Sequence, residues 1–177
     1  MSKNKFDFHF VFILYINTMS FTSEKDSDNY MTRKEEWERI SQYIPQDKVI
    51  WAPFYGNGKQ KEYFQDMGFN IIHEDEDFFE NNHGEIIIDN PPFSKKKEVF
   101  LRLKELDKPF IMICPSMMLG YKYFQQLFAN KIQIIVPHKR IAFRHISKND
   151  DDKCYTPPFS SFYYCYKINL PKDLLFI

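Results

Sequence analysis

Two uninterrupted apolar runs, Ile86-Ile87-Ile88 and Pro109 to Cys114 (PFIMIC), with a third, Ile132 to Val136, broken only by Gln133, alternate with segments of helical spacing. That alternation constrains the chain more than any other feature. A strand made from such a run has no polar face to offer water. It must be covered on both sides, and a mostly parallel sheet with helices packed on either face does this. The expected class is therefore α/β, a doubly wound sheet in one compact domain.

The remaining elements follow from punctuation. Thr32-Arg33-Lys34-Glu35-Glu36 reads as a helix start, with Thr32 as N-cap and Glu35 as its capping-box partner. Trp37, Ile40 and Ile44 share one face of that helix, and Pro45 ends it. Lys48 to Trp51 is a short strand leading into Pro53-Phe54-Tyr55-Gly56-Asn57-Gly58, and a helix from Lys59 to Met67 closes at Gly68. Phe69 to His73 is a strand running into Glu74-Asp75-Glu76-Asp77. Glu85 to Ile88 is the next strand, a helix runs from Ser94 to Leu106, and another from Leu119 to Ala129. Asn149 to Lys153 is a polar loop, and Phe159 to Ile168 a long aromatic strand. Trp37, Phe100, Phe124 and Phe128 fall at core spacings.

At 177 residues, 44% of them hydrophobic, the chain supports one full core and excludes global disorder. Its net charge is zero, which argues against a protein that holds nucleic acid by bulk charge and leaves only local contacts. The lysine run Lys95-Lys96-Lys97 reads as a solvated face. His138-Lys139-Arg140, at a strand exit, is the preferred phosphate contact. Three cysteines without a CxxC pair, Cys114, Cys154 and Cys165, suggest neither zinc nor a disulfide framework, and fit an intracellular setting. Residues 1–27 include the aromatic run Phe6 to Phe21. Its apolar core, Phe10 to Ile16, falls short of the ~20 residues a membrane helix needs. These residues are expected to be an N-terminal extension without an assigned role, ahead of a domain at 28–177.

Two loops carry chemistry. Gly56-x-Gly58, between a strand and a helix, lets the backbone approach a nucleotide-type cofactor, although neither GxGxxG nor a P-loop spacing is present. Asp89-Asn90-Pro91-Pro92-Phe93 is the more specific feature. The prolines hold the main chain so that a carbonyl oxygen and the Asn90 side-chain oxygen can both accept from one –NH₂ group, which frees the nitrogen lone pair for attack. Phe93 offers a face for stacking an extruded base.

PFYGNG followed by DNPPF, each after an apolar strand, resembles motifs I and IV of class I S-adenosylmethionine-dependent amino-methyltransferases. The nearest likeness is to small phage- and virus-type DNA N6-adenine methyltransferases, over about residues 28–168. The resemblance implies a Rossmann-like fold, S-adenosylmethionine as cofactor, and methylation of the adenine N6 amine in DNA or RNA. It places Tyr30 and Thr32, with Pro53, Phe54, Tyr55, Gly56 and Gly58, at the methionine end of the cofactor. It places His73 or Glu74 at its ribose, Asp77 and Phe78 at its adenine, and Asn90, Pro91, Pro92 and Phe93 at the target amine. The stretches from Pro137 to Phe143 and from Thr156 to Ser161 resemble the exit of the family's sixth strand and the approach to its seventh, which puts Lys139, Arg140 and Phe159 beside the substrate.

The pattern departs at Ala52, where the family carries an acid or Asn. Its task would pass to Asp89 or another neighbour. No separate recognition domain is legible, so sequence specificity would be slight, or supplied by a protein partner or a homodimer. Two alternatives stand beside the adenine reading. One is a weakly active or inactive methyltransferase-like subunit that binds nucleic acid or an active partner. The other is a protein glutamine amide methyltransferase, whose usual NPPY and helical N-terminal domain this chain lacks.

Overall fold

A computed structural model describes Asp28, residues 30–145 and residues 156–177. The N-terminal extension, the Asn149 to Lys153 loop and Cys154 lie outside the described residues. In chain order the elements are β1 (Tyr30–Thr32), α1 (Lys34–Glu38), β2 (Ile50–Trp51), α2 (Lys59–Asp66), β3 (Ile71–Ile72), β4 (Ile86–Asp89), α3 (Lys96–Leu106), β5 (Phe110–Pro115), α4 (Lys122–Phe128), β6 (Ile132–Val136), β7 (Phe143–His145), β8 (Ser161–Tyr166) and β9 (Leu174–Phe176). Short 3₁₀ turns precede α3 at Phe93–Lys95 and α4 at Ser116–Gly120.

Seven strands form one sheet in the order β3-β2-β4-β5-β8-β6-β9. β3, β2, β4 and β5 run parallel, β8 is antiparallel to both of its neighbours, and β9 is parallel to β6. This is the mostly parallel, doubly wound, Rossmann-like arrangement that the apolar runs require. Successive side chains point to opposite faces, so each run feeds two cores. Ile86 and Ile88, Ile111 and Ile113 join Trp37 of α1 and Phe64 of α2 on one face. Ile87, Phe110, Met112 and Cys114 join Val99 and Phe100 of α3 and Phe124 and Phe128 of α4 on the other. Burying each such Ile or Phe contributes ~1.5–3 kcal/mol. Burial raises the Cys114 and Cys165 thiols far above their ordinary range, which keeps both inert.

The first helix differs from expectation. Thr32 belongs to β1, the N-cap is Arg33 without a side-chain cap bond, and the α-helix lasts only five residues. Pairing of β1 with β7 explains the shift, since Tyr30, Met31 and Thr32 sit opposite His145, Arg144 and Phe143. A strand partner satisfies more backbone groups than a cap would. Ile40 and Ile44 still reach the core beside Trp37, through turns in place of a continuous helix. Glu36 holds the strap from the other side. It accepts from the Ala142 amide at 3.1 Å and pairs with Arg39 at 2.9 Å, and its carbonyl accepts the Tyr163 hydroxyl at 2.7 Å.

The chain leaves β2 outward to β3 and then returns across β2 to β4. The carboxyl ends of β2 and β4 therefore flank the point where the winding reverses, which is where open α/β sheets bind ligands. Both motif loops begin there.

Candidate functional site

Asp89, the last residue of β4, joins the two loops. Its Oδ2 accepts the Phe54 amide at 2.7 Å and its Oδ1 accepts the Asn90 amide at 2.8 Å. The carboxylate is 1% exposed, and burial pushes its pKa up to about 7 against the hydrogen bonds that lower it. Gln60 of α2 lies beside it and donates to the Ile88 carbonyl at 3.2 Å. Asp89 thus holds the glycine loop through the Phe54 backbone, beside Ala52. It also lines the chamber at the ends of β2 and β4.

The sign of the pH effect follows from that pKa. In the unfolded chain Asp89 titrates near the ordinary carboxylate value, ~3.9. Between there and about 7 the folded protein holds the extra proton, so Asp89's contribution to stability falls as pH rises through that window. His73 acts oppositely. Burial lowers its pKa, so its contribution is lost as pH drops below the ordinary histidine range. Asp89→Asn separates the two. Thermal melts should show wild type losing stability relative to the variant from about pH 4 to about pH 7, and a pH-independent difference would contradict the buried-acid assignment.

Asn90 is the second joint. Its Nδ2 donates to the Tyr30 carbonyl at 3.1 Å, which fixes the amide's orientation and leaves Oδ1 buried without a partner among the described residues. Pro91 is buried, and among the described residues no donor reaches its carbonyl. Thr32 Oγ1 is likewise buried without a partner. Asn90 and Thr32 both line a cavity of about 70 Å³, with Asp28, Tyr30, Met31, Phe54, Gly56, Gln60, Asp89, Pro91 and Pro92. Much of the predicted constellation therefore converges on one small polar chamber.

Three members of that chamber, Asp28, Met31 and Gln60, gave no sequence signal beyond a polar residue in the first turn of a helix for Gln60. Asp28 accepts the Ser94 amide at 3.0 Å and also its hydroxyl, and so ties down the turn after Phe93. Met31 lies across the glycine loop: a Cβ added at Gly56, where φ is +57°, would stand 2.3 Å from its sulfur. Gly58, at φ +76°, is covered in the same way by the Tyr55 ring. Both glycines are needed for their backbone angle and for the close approach of a neighbouring side chain.

Other predicted residues take different positions. His73 is 1% exposed, its Nδ1 donates to the Ala52 carbonyl at 2.6 Å, and its ring stacks on Tyr55 at 5.1 Å. It braces the glycine loop and faces inward, with Nε2 buried and unpartnered among the described residues. Glu74 is exposed and pairs with Lys61 at 2.7 Å. Asp77 spends its carboxylate on the Phe79 amide at 2.7 Å, shaping the turn. Phe78 is buried against Phe54 at 5.1 Å and Trp51 at 5.5 Å. Pro53 is buried.

Phe159 meets Phe93 with ring centroids 6.0 Å apart, so two segments far apart in sequence come together. Lys139 and Arg140 are exposed after β6, on the same edge of the sheet, and the Lys139 carbonyl accepts from Arg39 at 3.3 Å. Among the described residues no helix is long and apolar enough to cross a membrane.

No family model and no curated protein matches the chain. Solved structures similar to it include a precorrin-6y C5,15-methyltransferase from Geobacter metallireducens, at 9% identity and a TM-score of 0.42, covering 80% of this chain and 95% of that one. A chain described as a class I S-adenosylmethionine-dependent methyltransferase from Listeria monocytogenes aligns at 10% identity and a TM-score of 0.44, over 95% of this chain and 70% of that one. TrmN from Thermus thermophilus aligns at 8% identity and a TM-score of 0.35, over 75% of this chain and 47% of that one. At such identities the functional reading rests on the chain's own residues.

Proposed function

We propose that the chain is an S-adenosylmethionine-dependent methyltransferase acting on the exocyclic N6 amine of adenine in DNA or RNA. The observation that carries this reading is the buried Asn90 Oδ1 at the switch point, which has no partner among the described residues, followed in the chain by a Pro91 carbonyl that no described donor reaches. An –NH₂ group has two hydrogens, and two acceptors held on a proline-stiffened turn match them.

The residues present suit one end of such a cofactor. Thr32 Oγ1 and the Gly56 backbone offer a polar floor that Met31 covers, while a chamber of 70 Å³ is well below the ~300–1,000 Å³ typical of whole ligands. The rest of the molecule would extend along the glycine loop toward Tyr55 and Phe54, with Met31 moving off Gly56. Bound there, the cofactor supplies an electrophilic methyl group on a sulfonium. Asn90 Oδ1 and the Pro91 carbonyl accept the two amine hydrogens, orient the target nitrogen and draw its lone pair out of conjugation with the ring. Held so, the nitrogen would attack the methyl carbon as the carbon–sulfur bond broke with its electrons kept by sulfur, and the surplus proton would leave to solvent. No general base is required, because the amine can lose its proton after attack; Asp89 holds the Phe54 and Asn90 amides in place. Phe93 and Phe159 form the stacking face for the base, and Lys139 and Arg140 supply cations for its backbone.

Calorimetric titration with S-adenosylmethionine, paired with transfer of labelled methyl to an adenine-containing oligonucleotide, tests the reading. Saturable binding and incorporation at adenine are expected. No heat at millimolar cofactor would reject the enzyme reading in favour of a non-catalytic subunit.

A further inference from the structure

β4 and β5 are adjacent and parallel, so the segments that leave them, Asn90 to Lys97 and Ser116 to Tyr123, lie side by side. Lys96 links them: its Nζ donates to the Phe93 carbonyl at 3.0 Å and stands 6.0 Å from the centre of the Tyr121 ring. Tyr121 in turn stacks on Tyr123 at 5.6 Å with an interplanar angle of 19°. Two aromatic pairs, Phe93–Phe159 and Tyr121–Tyr123, are thereby joined into one surface leading away from Asn90.

The charges around this surface are uncompensated. Elsewhere Lys34, Lys61 and Lys167 each lie within 2.7–2.8 Å of a carboxylate. Lys95, Lys97 and Lys122, all exposed, meet none among the described residues. The start of α3 carries no side-chain cap bond, and Glu98 is the one acid in its first turn. Lysines at a helix N-terminus stand where the peptide dipoles already put positive charge, an arrangement that costs stability unless an anion joins them.

We infer that this surface is the path of a single-stranded nucleic acid: its phosphates meet Lys95, Lys97 and Lys122, and bases flanking the target stack along Tyr121 and Tyr123. Alternating cations and rings are the two things such a strand needs, and neither demands a particular base sequence. The lysine run is thus more than the solvated face its spacing suggests. The inference rests on the nucleic-acid reading of the neighbouring site, and it explains how a chain of zero net charge can hold a polyanion through local charge.

Fluorescence anisotropy with a labelled oligothymidine tests it, because thymine has no exocyclic amine and bypasses Asn90. Wild type should bind in a salt-dependent way. Joint replacement of Lys95, Lys97 and Lys122 by alanine should lower the slope of log affinity against log salt by about 2, at ~0.7 per phosphate contact on a single strand. Tyr121→Ala should weaken binding about 10-fold with the slope retained. Should the triple variant fold poorly, Lys97→Glu alone, at an exposed position, should still lower the slope. Unchanged affinity and slope in either lysine variant would overturn the inference, as would tighter binding of a duplex, or binding to phosphatidylserine vesicles without binding to the oligonucleotide. Cofactor titration on the same samples keeps the two ideas apart. Lysine-dependent strand binding without cofactor binding supports this path and rejects the methyltransferase, and cofactor binding with lysine-independent strand binding does the reverse.

Discussion

Asn90→Ala is expected to abolish methyl transfer while leaving cofactor binding in place. The variant removes the buried Oδ1 acceptor and nothing on the floor of the chamber formed by Thr32 and Gly56. Loss of one preorganised polar group aimed at a reacting atom lowers turnover by about 10²–10³-fold, or ~2.7–4 kcal/mol. The dissociation constant for S-adenosylmethionine should stay within about threefold, less than ~1 kcal/mol. Asn90→Asp retains an oxygen at that position and should keep more activity than alanine. The measurement is single-turnover transfer beside calorimetric binding. Equal loss in both would show that Asn90 shapes the cofactor site through its bond to the Tyr30 carbonyl, and full activity in the alanine variant would remove the amine clamp altogether.

Gly84→Ala should produce the largest loss of stability. Gly84 enters β4 at φ +57°, and a Cβ there would stand 2.8 Å from the Val49 carbonyl oxygen and 3.0 Å from the Trp51 amide nitrogen. Both are backbone atoms of the strand on which β4 is registered, and they cannot rotate aside. The turn is also clamped by Lys108, which donates to the Gly84 carbonyl at 2.7 Å and the His83 carbonyl at 2.9 Å. A left-handed angle costs ~1–2 kcal/mol for a side-chain-bearing residue, and overpacking adds ~1–3 kcal/mol. A total of about 3 kcal/mol lowers the melting temperature by roughly 6–12 °C in a chain of this size. Gly68→Ala is the control, since φ there is +86° and nothing lies within 4 Å of the added carbon. Equal melting temperatures for the two variants would mean that the β2–β4 junction is not held as tightly as its contacts indicate.

The parts of the site that sequence exposes are those whose residue types have few other uses. Asn90-Pro91-Pro92-Phe93 and Gly56-x-Gly58 fall at the carboxyl ends of neighbouring strands, as their spacing after apolar runs implied. Polar residues near them were harder to place, because a carboxylate or imidazole can serve a ligand or its own backbone equally well. Asp77 turns out to hold the Phe79 amide, His73 the Ala52 carbonyl and Asp89 the Phe54 amide. Asp28 and Met31 belong to no motif of their own and enter the chamber beside β1, which is placed by its pairing with β7, whose residues lie more than 110 positions further along the chain.

The same division runs through the fold. Sequence alone determined the doubly covered sheet, because apolar runs such as Ile86-Ile87-Ile88 and Phe110 to Cys114 have no wet face to present, and it determined the two core faces, because strand side chains alternate. Tertiary structure decided the short elements. β1, β7 and β9 have three residues each, too few to show a period, and exist through their partners. It likewise overrode the Thr32 capping signal, and it chose which oxygens stay free. Asn90 Oδ1 is available because the Tyr30 carbonyl, brought from another strand, takes the other end of the amide. A hydrogen-bond partner sixty positions away leaves no trace in local spacing, and it settles which atom of Asn90 faces the chamber.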